Sequence, residues 1–576
     1  MAGEQYTSVA VVMKSASAIA CIAVLLMLLS PWIAYTRLPT SIKSPIQARG
    51  PIAALRACLN EITAGTQTST RGYQLYSKKG ESFAMLNINF RPQVILPPEH
   101  VRWLISQPEE ILSHGKAGDD VDALRYIWPL FDASALHSFS KVLQNNLTRN
   151  IVQTEMVALD EVEHVMQELV GQTKTCKEIN MVLLFEKIMY RITQRVYVGL
   201  PLCRDTTYMA LVKGYARSLG TAMVFAAQLT PWPLRQVTAL LTGLPVYYYV
   251  LRVRAYLTPL YRRQMERLKA KQGATDNLLE GEPANLITWM SNAVLSGIGP
   301  KDVSANGMVT WLGIMALLPT DNLWVTCTNT LLDLLTSDPE HAYYGTIRDE
   351  AKRVFASSKE SGVPISHGLH HLDSALRESL RLNSLAPRAL HRQVVRREGV
   401  VLPDGQKVPL GTWLCVLSGN LHRDNDFYDD GQSYKPFRFV SKLAEGSSDK
   451  APSLPLTNEK YLTFGYGRHA CPGRWFSFQI MKVTIAYIIA NYDIEPLEKR
   501  PENMLFADLN IPYLSHIIRI RKVGFRFGLE ARLNPVAAPI RICVTVTDAT
   551  LLNRCKGIPL PTLGRRMLTQ DTVAAI

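Results

Sequence analysis

The sequence predicts a mostly α protein with a smaller β portion, preceded by a single membrane-spanning helix. Three observations carry this prediction. Residues 15–35 form a run of 21 without a charge. Long apolar stretches with helical periodicity and few glycines fill most of the chain before residue 384. Short alternating segments separated by Asp-Gly and Leu-Gly turns follow it.

The elements follow in order. SASAIACIAVLLMLLSPWIAY meets the length of about 20 residues that a spanning helix requires, and it closes on the interfacial aromatics Trp32 and Tyr35. Lys14 before it also suits a cleaved signal peptide, but the apolar run is long for one and no small-x-small site follows. Arg37, Lys43, Arg49 and Arg56 come after the run, so the bulk of the chain is expected on the cytosolic side. The Asn146-Leu147-Thr148 sequon is then an accident of sequence. This gives an anchor over 1–36 and a Pro/Gly-marked linker over 37–52.

TRGYQLYSKKGESFAMLNI reads as a hairpin turning at Lys78–Glu81. Helical patterns run from about 137 to 270, from 305 to 336 and from 368 to 383, the second stopping at Asp338-Pro339. VVLPDGQKVPLGTWLCVLS reads as short strands, and a last helix runs from about Gly473 to Ala490.

Composition narrows the function. The 576 residues carry 63 basic and 49 acidic side chains, a formal charge of +14, and 47% are apolar. That excludes a disordered chain or a small disulfide scaffold, and a mean hydropathy near zero argues against many membrane spans. The nine cysteines stand singly, with no zinc-like spacing, so reduced thiols are expected. Basic residues recur without an arginine- and aromatic-rich block. This points away from nucleic acid and toward a surface beside a membrane and an acidic redox partner.

FGYGRHACPGRWF, residues 464–476, decides the class. Gly465, Gly467 and Gly473 permit a tight loop against a flat ligand, and the helix after Cys471 turns its N-terminal amides toward the sulfur. That field is expected to favour the thiolate, the form that binds metal. The pattern of Phe464, Gly465, Gly467, His469, Cys471 and Gly473 resembles the haem-binding loop of the cytochromes P450, the haem-thiolate monooxygenases. A chance match at six such positions is on the order of 10⁻⁸ per window.

The resemblance spans roughly 45–523. It implies the cytochrome P450 fold over 53–527, haem b as cofactor and Cys471 as its axial iron ligand. His469, where most members have arginine, is implied to reach a haem propionate, as is Arg392 in ALHRQVV. Glu378 and Arg381 in SALRESLRLNS, with Arg438 in PFRF, match the family's buried Glu–Arg–Arg network, which pins the segment leading to the cysteine loop. RVYVGLPLCRD at 195–205 and NLHRDNDFYDD at 420–430 resemble fungal membrane-bound members of specialised metabolism.

The implied activity is oxidation of a lipophilic small molecule with dioxygen and with electrons from NADPH through a separate NADPH-cytochrome P450 reductase. The implied location is the endoplasmic reticulum membrane. Relatives carry an acid and a threonine on the helix over the distal haem face, to deliver protons. Here the aligned segment is LLPTDNLW, residues 317–324, which puts Asp321 on the acid and Asn322 on the threonine. A slip of two residues would make Thr320 the hydroxyl instead, and Pro319 is expected to distort the helix. An asparagine there is compatible with hydroxylation and with desaturation, ring expansion, isomerisation or another oxidative rearrangement. An inactive haem-binding protein is the reading from another class. Residues 528–576 match nothing in the family and are either an extension or the product of a misread intron or frameshift.

Overall fold

The chain enters its helical body at Pro51, where Gly50 at φ 90° turns the backbone and Pro51 presets the helical φ. The computed structural model describes residues 21–523 except 23, 27–28, 47–49, 128–141, 148, 172–174, 232–233, 273–278, 298–304, 338, 362, 441–456 and 507–508. Contacts separate residues 1–527 from 528–576, and the second unit lies outside the described residues, as do Thr148 of the sequon and Asp338. Within 15–35, the described residues from Cys21 onward are helical, and 15–20 lie outside the description. Among the described residues no helix is long and apolar enough to cross a membrane.

The main helices are α1 (Pro51–Leu75), α2 (His114–Asp122), α3 (Ile151–Leu169), α4 (Met181–Val198) and α5 (Thr206–Met223). They continue as α6 (Arg235–Lys271), α7 (Leu286–Leu295), α8 (Ala305–Leu335), α9 (Tyr343–Ser361), α10 (His370–Leu382) and α11 (Arg474–Asn491). The strands are β1 (Phe83–Leu86), β2 (Pro92–Ile95), β3 (Leu112–Ser113), β4 (Lys177–Asn180), β5 (Ala389–Val394) and β6 (Val400–Val401). After them come β7 (Lys407–Val408), β8 (Trp413–Val416), β9 (Tyr492–Ile494), β10 (Met504–Phe506), β11 (Leu509–Ile511) and β12 (Ile517–Lys522). The mostly α architecture with a smaller β portion is as the sequence predicts.

Apolar residues occupy every face of α11, and such a helix must lie in the interior. It is buried along nearly its whole length and packs against α3, α8 and α9. The long α8 touches α4, α5, α6 and α10, so it crosses the middle of the helical body. Its helix is continuous through Pro319, just as α6 is continuous through Pro245 and Pro259. One lost amide hydrogen bond is offset by packing along the rest of a long helix, so a proline does not end it.

The largest sheet has the order β1-β2-β8-β5-β3, parallel between β2 and β8 and antiparallel elsewhere. The predicted hairpin at Lys78–Glu81 is corrected here. TRGYQL ends α1, and β1 turns back at Asn87–Arg91 to pair with β2. Tertiary packing overrides the short alternation: a Cβ on Gly72 would come within 2.3 Å of the Phe83 ring, so this helix face is the seat for β1. Lys78 and Lys79 instead form a 3-10 turn closed by Gly80 at φ 74°.

α10 contributes the interaction that orders the approach to the cysteine. Glu378 and Arg381 are both fully buried, with Arg381 Nε and Nη2 donating to the two carboxylate oxygens at 2.8 and 2.7 Å. Arg438 Nε reaches Glu378 Oε1 at 2.8 Å, and the Lys435 amide donates to the same oxygen at 3.1 Å. Arg381 also donates to the carbonyls of His422 and Gly431. The three residues therefore form one network, as the resemblance implies. Glu378→Ala would strand two guanidinium charges inside, a loss of about 3–5 kcal/mol. Urea unfolding of the variant should show a drop of that size with poor soluble yield; a drop below about 1 kcal/mol would be the mark of a surface pair.

Candidate active site

Cys471 sits at the end of a loop whose shape follows from its glycines. Gly465 and Gly467 adopt φ 70° and 72°, a region that disfavours other residues. A Cβ on Gly467 would also press to 3.0 Å from Ile105 Cδ1. Residues 467–469 form a 3-10 turn, the Cys471 amide donates to the Phe464 carbonyl at 2.8 Å, and α11 begins three residues on. Arg474 Nη1 donates to the Cys471 carbonyl at 2.8 Å.

The sulfur meets opposing influences. Burial pushes the thiol up, while hydrogen bonds from the Gly473 and Arg474 amides and the Arg474 charge pull it down. Burial is the larger influence, and the helix-end amides act against it in the direction expected from the sequence, toward the anion. A metal ion would supply the missing stabilisation and displace the proton.

Beside the loop stands a rim of cations and imidazoles. Arg392 is buried on β5; its Nη1 bonds the His391 carbonyl at 2.8 Å and lies 3.2 Å from His114 Nδ1, while Nε and Nη2 have no partner. Burial lowers its pKa to about 10. The His469 ring lies 4.5 Å from that of His114, tilted by 40°. Burial, with His114 and Arg392 nearby, holds His469 down at about 4, so the ring is neutral at physiological pH. Its Nε2 lies 3.0 Å from Arg468 Nε. Glu109 Oε1 lies 3.1 Å from that same Nε2, and its carboxylate caps the His114 amide at 3.0 and 3.2 Å.

Glu109 and His114 were not apparent as site residues from the sequence. SQPEEILSHGK carries no motif. They reach the rim because β3 pairs Ser113 with Gln393 and Leu112 with Val394, a long-range register that no local pattern announces.

The three distal candidates lie on consecutive positions of α8 and face different surroundings. Thr320 is fully buried, and its hydroxyl bonds Thr193 Oγ1 of α4 at 3.3 Å. Asp321 is half-buried and accepts from Trp324 Nε1 at 2.9 Å. Burial raises its carboxyl to about 6, and the Glu186 charge adds to this, against the Trp324 hydrogen bond and Arg217. Asn322 is exposed, and its carbonyl accepts from Thr326 Oγ1 at 2.8 Å. Of the three, Asn322 is the most exposed.

Residues 132–515, about two thirds of the chain, match the family model for cytochrome P450. The chain belongs to the cytochrome P450 family. It is similar to cytochrome P450 monooxygenase lnaC of Aspergillus flavus, 77% identical over 523 residues that span 91% of this chain and 100% of that protein. Cytochrome P450 monooxygenase nodZ of Hypoxylon pulicicidum is 32% identical over 506 residues, 85% of this chain and 94% of its own. Cytochrome P450 monooxygenase polB of Polytolypa hystricis is 31% identical over 480 residues, 81% and 90% respectively.

The protein is a cytochrome P450 monooxygenase, an oxidoreductase that carries haem b on a cysteine thiolate and requires a redox partner, dioxygen and a small-molecule substrate. The residues present fit that cofactor. A haem brings two carboxylates, and Arg392 holds two buried N–H donors without a partner beside a neutral His469. Cys471 would hold the iron, with the Gly473 and Arg474 amides steadying charge on the sulfur, while Arg392, His469 and His114 would hold the propionates. When bound, the haem supplies the activation of dioxygen for transfer of oxygen to carbon. Asp321, poised near neutrality, is able to hold or release a proton on α8.

Two outcomes are expected. Cys471→Ala should abolish the red-shifted Soret band of the reduced carbon monoxide complex, and a band that persists would mean another residue binds the iron. Asp321 is held at about 6 against 3.8 for a free side chain, so its protonated form stabilises the fold fully below the lower value. That contribution disappears as pH rises through the upper one. Unfolding midpoints of the wild type should therefore fall relative to Asp321→Asn between about pH 4 and about pH 7; a difference flat with pH would mean an ordinary solvated carboxylate.

Proposed function

We propose that the protein is a membrane-anchored monooxygenase, with Cys471 as axial haem ligand, that oxidises a lipophilic intermediate of a fungal secondary-metabolite pathway of terpenoid, polyketide or alkaloid type. The observation that carries this reading is the meeting of one thiol, two helix-end amides and the unpaired donors of Arg392 around a single loop. The similarity to named monooxygenases of three fungi supports the setting. Electrons come from NADPH-cytochrome P450 reductase, since the chain carries no flavin or nicotinamide fingerprint of its own.

The anchor belongs to the same reading. Ile22, Val24, Leu25 and Ile33 are exposed on the N-terminal helical residues. On α6, Val237, Leu240, Leu241, Leu244, Tyr248 and Leu251 are all more than half exposed along one face, and Arg252 and Arg254 follow them in solvent. A water-exposed apolar stripe of this length is unfavourable, and an apolar stretch bounded by a tyrosine and then by arginines suits a lipid interface. These features support attachment to the endoplasmic reticulum membrane, with the catalytic domain cytosolic.

On the distal side, Asn322 serves proton delivery, while the Thr320 hydroxyl is already engaged by Thr193. The same asparagine favours one alternative outcome, oxidative rearrangement, ring expansion or isomerisation in place of hydroxylation. Reconstitution with reductase tests both. Asn322→Ala should divert NADPH into peroxide with substrate binding nearly unchanged, while Thr320→Ala leaves the ratio of product to NADPH as it was. The reverse pattern would assign the role to Thr320. A product heavier by one oxygen marks hydroxylation, and an unchanged mass marks isomerisation.

A further inference from the structure

The cysteine loop rests on the segment 105–111, and that segment carries an acid with no part in the haem seat described above. A Cβ on Gly467 would meet Ile105, and Arg468 Nη2 donates to the Gln107 carbonyl at 2.6 Å. On the other side, the Val395 amide just after β5 donates to the Ile111 carbonyl at 3.0 Å. Between these ties the Ile111 and Leu112 amides both return to the Pro108 carbonyl, at 3.0 and 2.9 Å, and close a turn that contains Glu109. The acid is thus fixed from the loop and from the sheet.

Glu109 uses its carboxylate twice. Both oxygens accept from the His114 amide, at 3.2 and 3.0 Å, at the N-terminal end of α2, where negative charge is favoured. Oε1 also lies 3.1 Å from His469 Nε2. It therefore touches both residues whose rings stand beside Arg392. Burial works against its charge, but hydrogen bonds from Ser113 and the His114 amide outweigh burial and hold its carboxyl below the usual range. Its side chain is 40% exposed and that of His469 is 25% exposed, so neither is sealed off from a molecule at the rim.

By charge alone this anion repels the carboxylates of a haem; by position it fixes the imidazole and the helix end that would meet them. The same charge has a second effect. Reduction adds one electron to the haem iron, and a fixed anion nearby opposes that gain. We propose that Glu109 is a positioning residue for the haem, holding His469 and the first turn of α2 at the propionate edge and, through its charge, favouring the oxidised iron. The inference rests on the haem seat at Cys471.

The test uses full-length holoprotein in detergent, with haem loss followed by transfer to apomyoglobin and the midpoint potential by spectroelectrochemistry. Three variants separate position from charge. Glu109→Gln keeps the length and an oxygen acceptor but removes the charge. It should lose haem at the wild-type rate, while its potential moves positive enough to favour the reduced form about threefold, the scale of a part-exposed charge. Added salt should shrink that difference. Glu109→Asp keeps the charge but withdraws it from His469, so it should hold nearly the wild-type potential and lose haem about fivefold faster. Glu109→Ala should do both. Gln and Ala variants with the wild-type potential, or Asp and Ala variants that lose haem no faster, overturn the assignment. A lower unfolding midpoint with neither change makes Glu109 a helix cap and overturns it too. A wild type without the red-shifted Soret band of its reduced carbon monoxide complex overturns the seat at Cys471 itself, which separates the two failures.

Discussion

One buried carboxylate governs the route of the chain to its reactive cysteine. Glu378 has no contact with solvent, and a charge in that position survives only if it is fully paired. Its partners, Arg381 and Arg438, have N–H groups to spare, and these take the carbonyls of His422, Gly431, Asp429 and Ser433. The irregular backbone between 422 and 440 is thus held by charge-assisted bonds rather than by a sheet. From there the frame passes on. Burial and the Arg381 charge press His422 down to about 3, so it stays neutral and its Nε2 accepts the Leu462 amide at 2.9 Å. Tyr461 and Tyr428 tie the same segment to the carbonyls of Arg377 and Lys460.

The cysteine loop hangs from this frame, and at its sulfur the helix-end amides and the Arg474 charge favour the anion against burial. Such an arrangement suits a resident metal. The helix-end amides are positioned for an anion, and a bound metal ion would offset the cost of burying that charge. The rim works by a related principle. Arg392 is kept charged in a buried place with two N–H groups unmatched, and the imidazoles beside it are neutral, so the surplus of positive charge and donors is directed at one acceptor-rich partner.

Along α8, adjacent side chains meet different partners. Thr193 of α4 takes the Thr320 hydroxyl into the core, Trp324 one turn later takes the Asp321 carboxylate, and Asn322 is the most exposed of the three. Three polar residues in a row are sorted by the 100° step of the helix into three environments.

The sequence alone determined the class of protein, because the class resides in local patterns. FGYGRHACPGRWF needs its glycines and its cysteine at fixed spacing, the E-x-x-R pair needs only one helical turn, and α8, α10 and α11 follow from apolar periodicity within a residue or two of their observed ends. What it did not reveal depends on contacts between distant segments. TRGYQL has the alternation of a strand, but it is the end of a helix because Phe83 packs on Gly72. Glu109 and His114 join the site only through the register of β3 on β5. The desolvation of the Cys471 sulfur depends on how much of the fold surrounds it, and the different surroundings of Thr320 and Asp321 come from Thr193 of the facing α4 and Trp324 one turn along α8. Spacing along a chain encodes geometry over one or two turns; burial and register exist only once the chain has closed on itself.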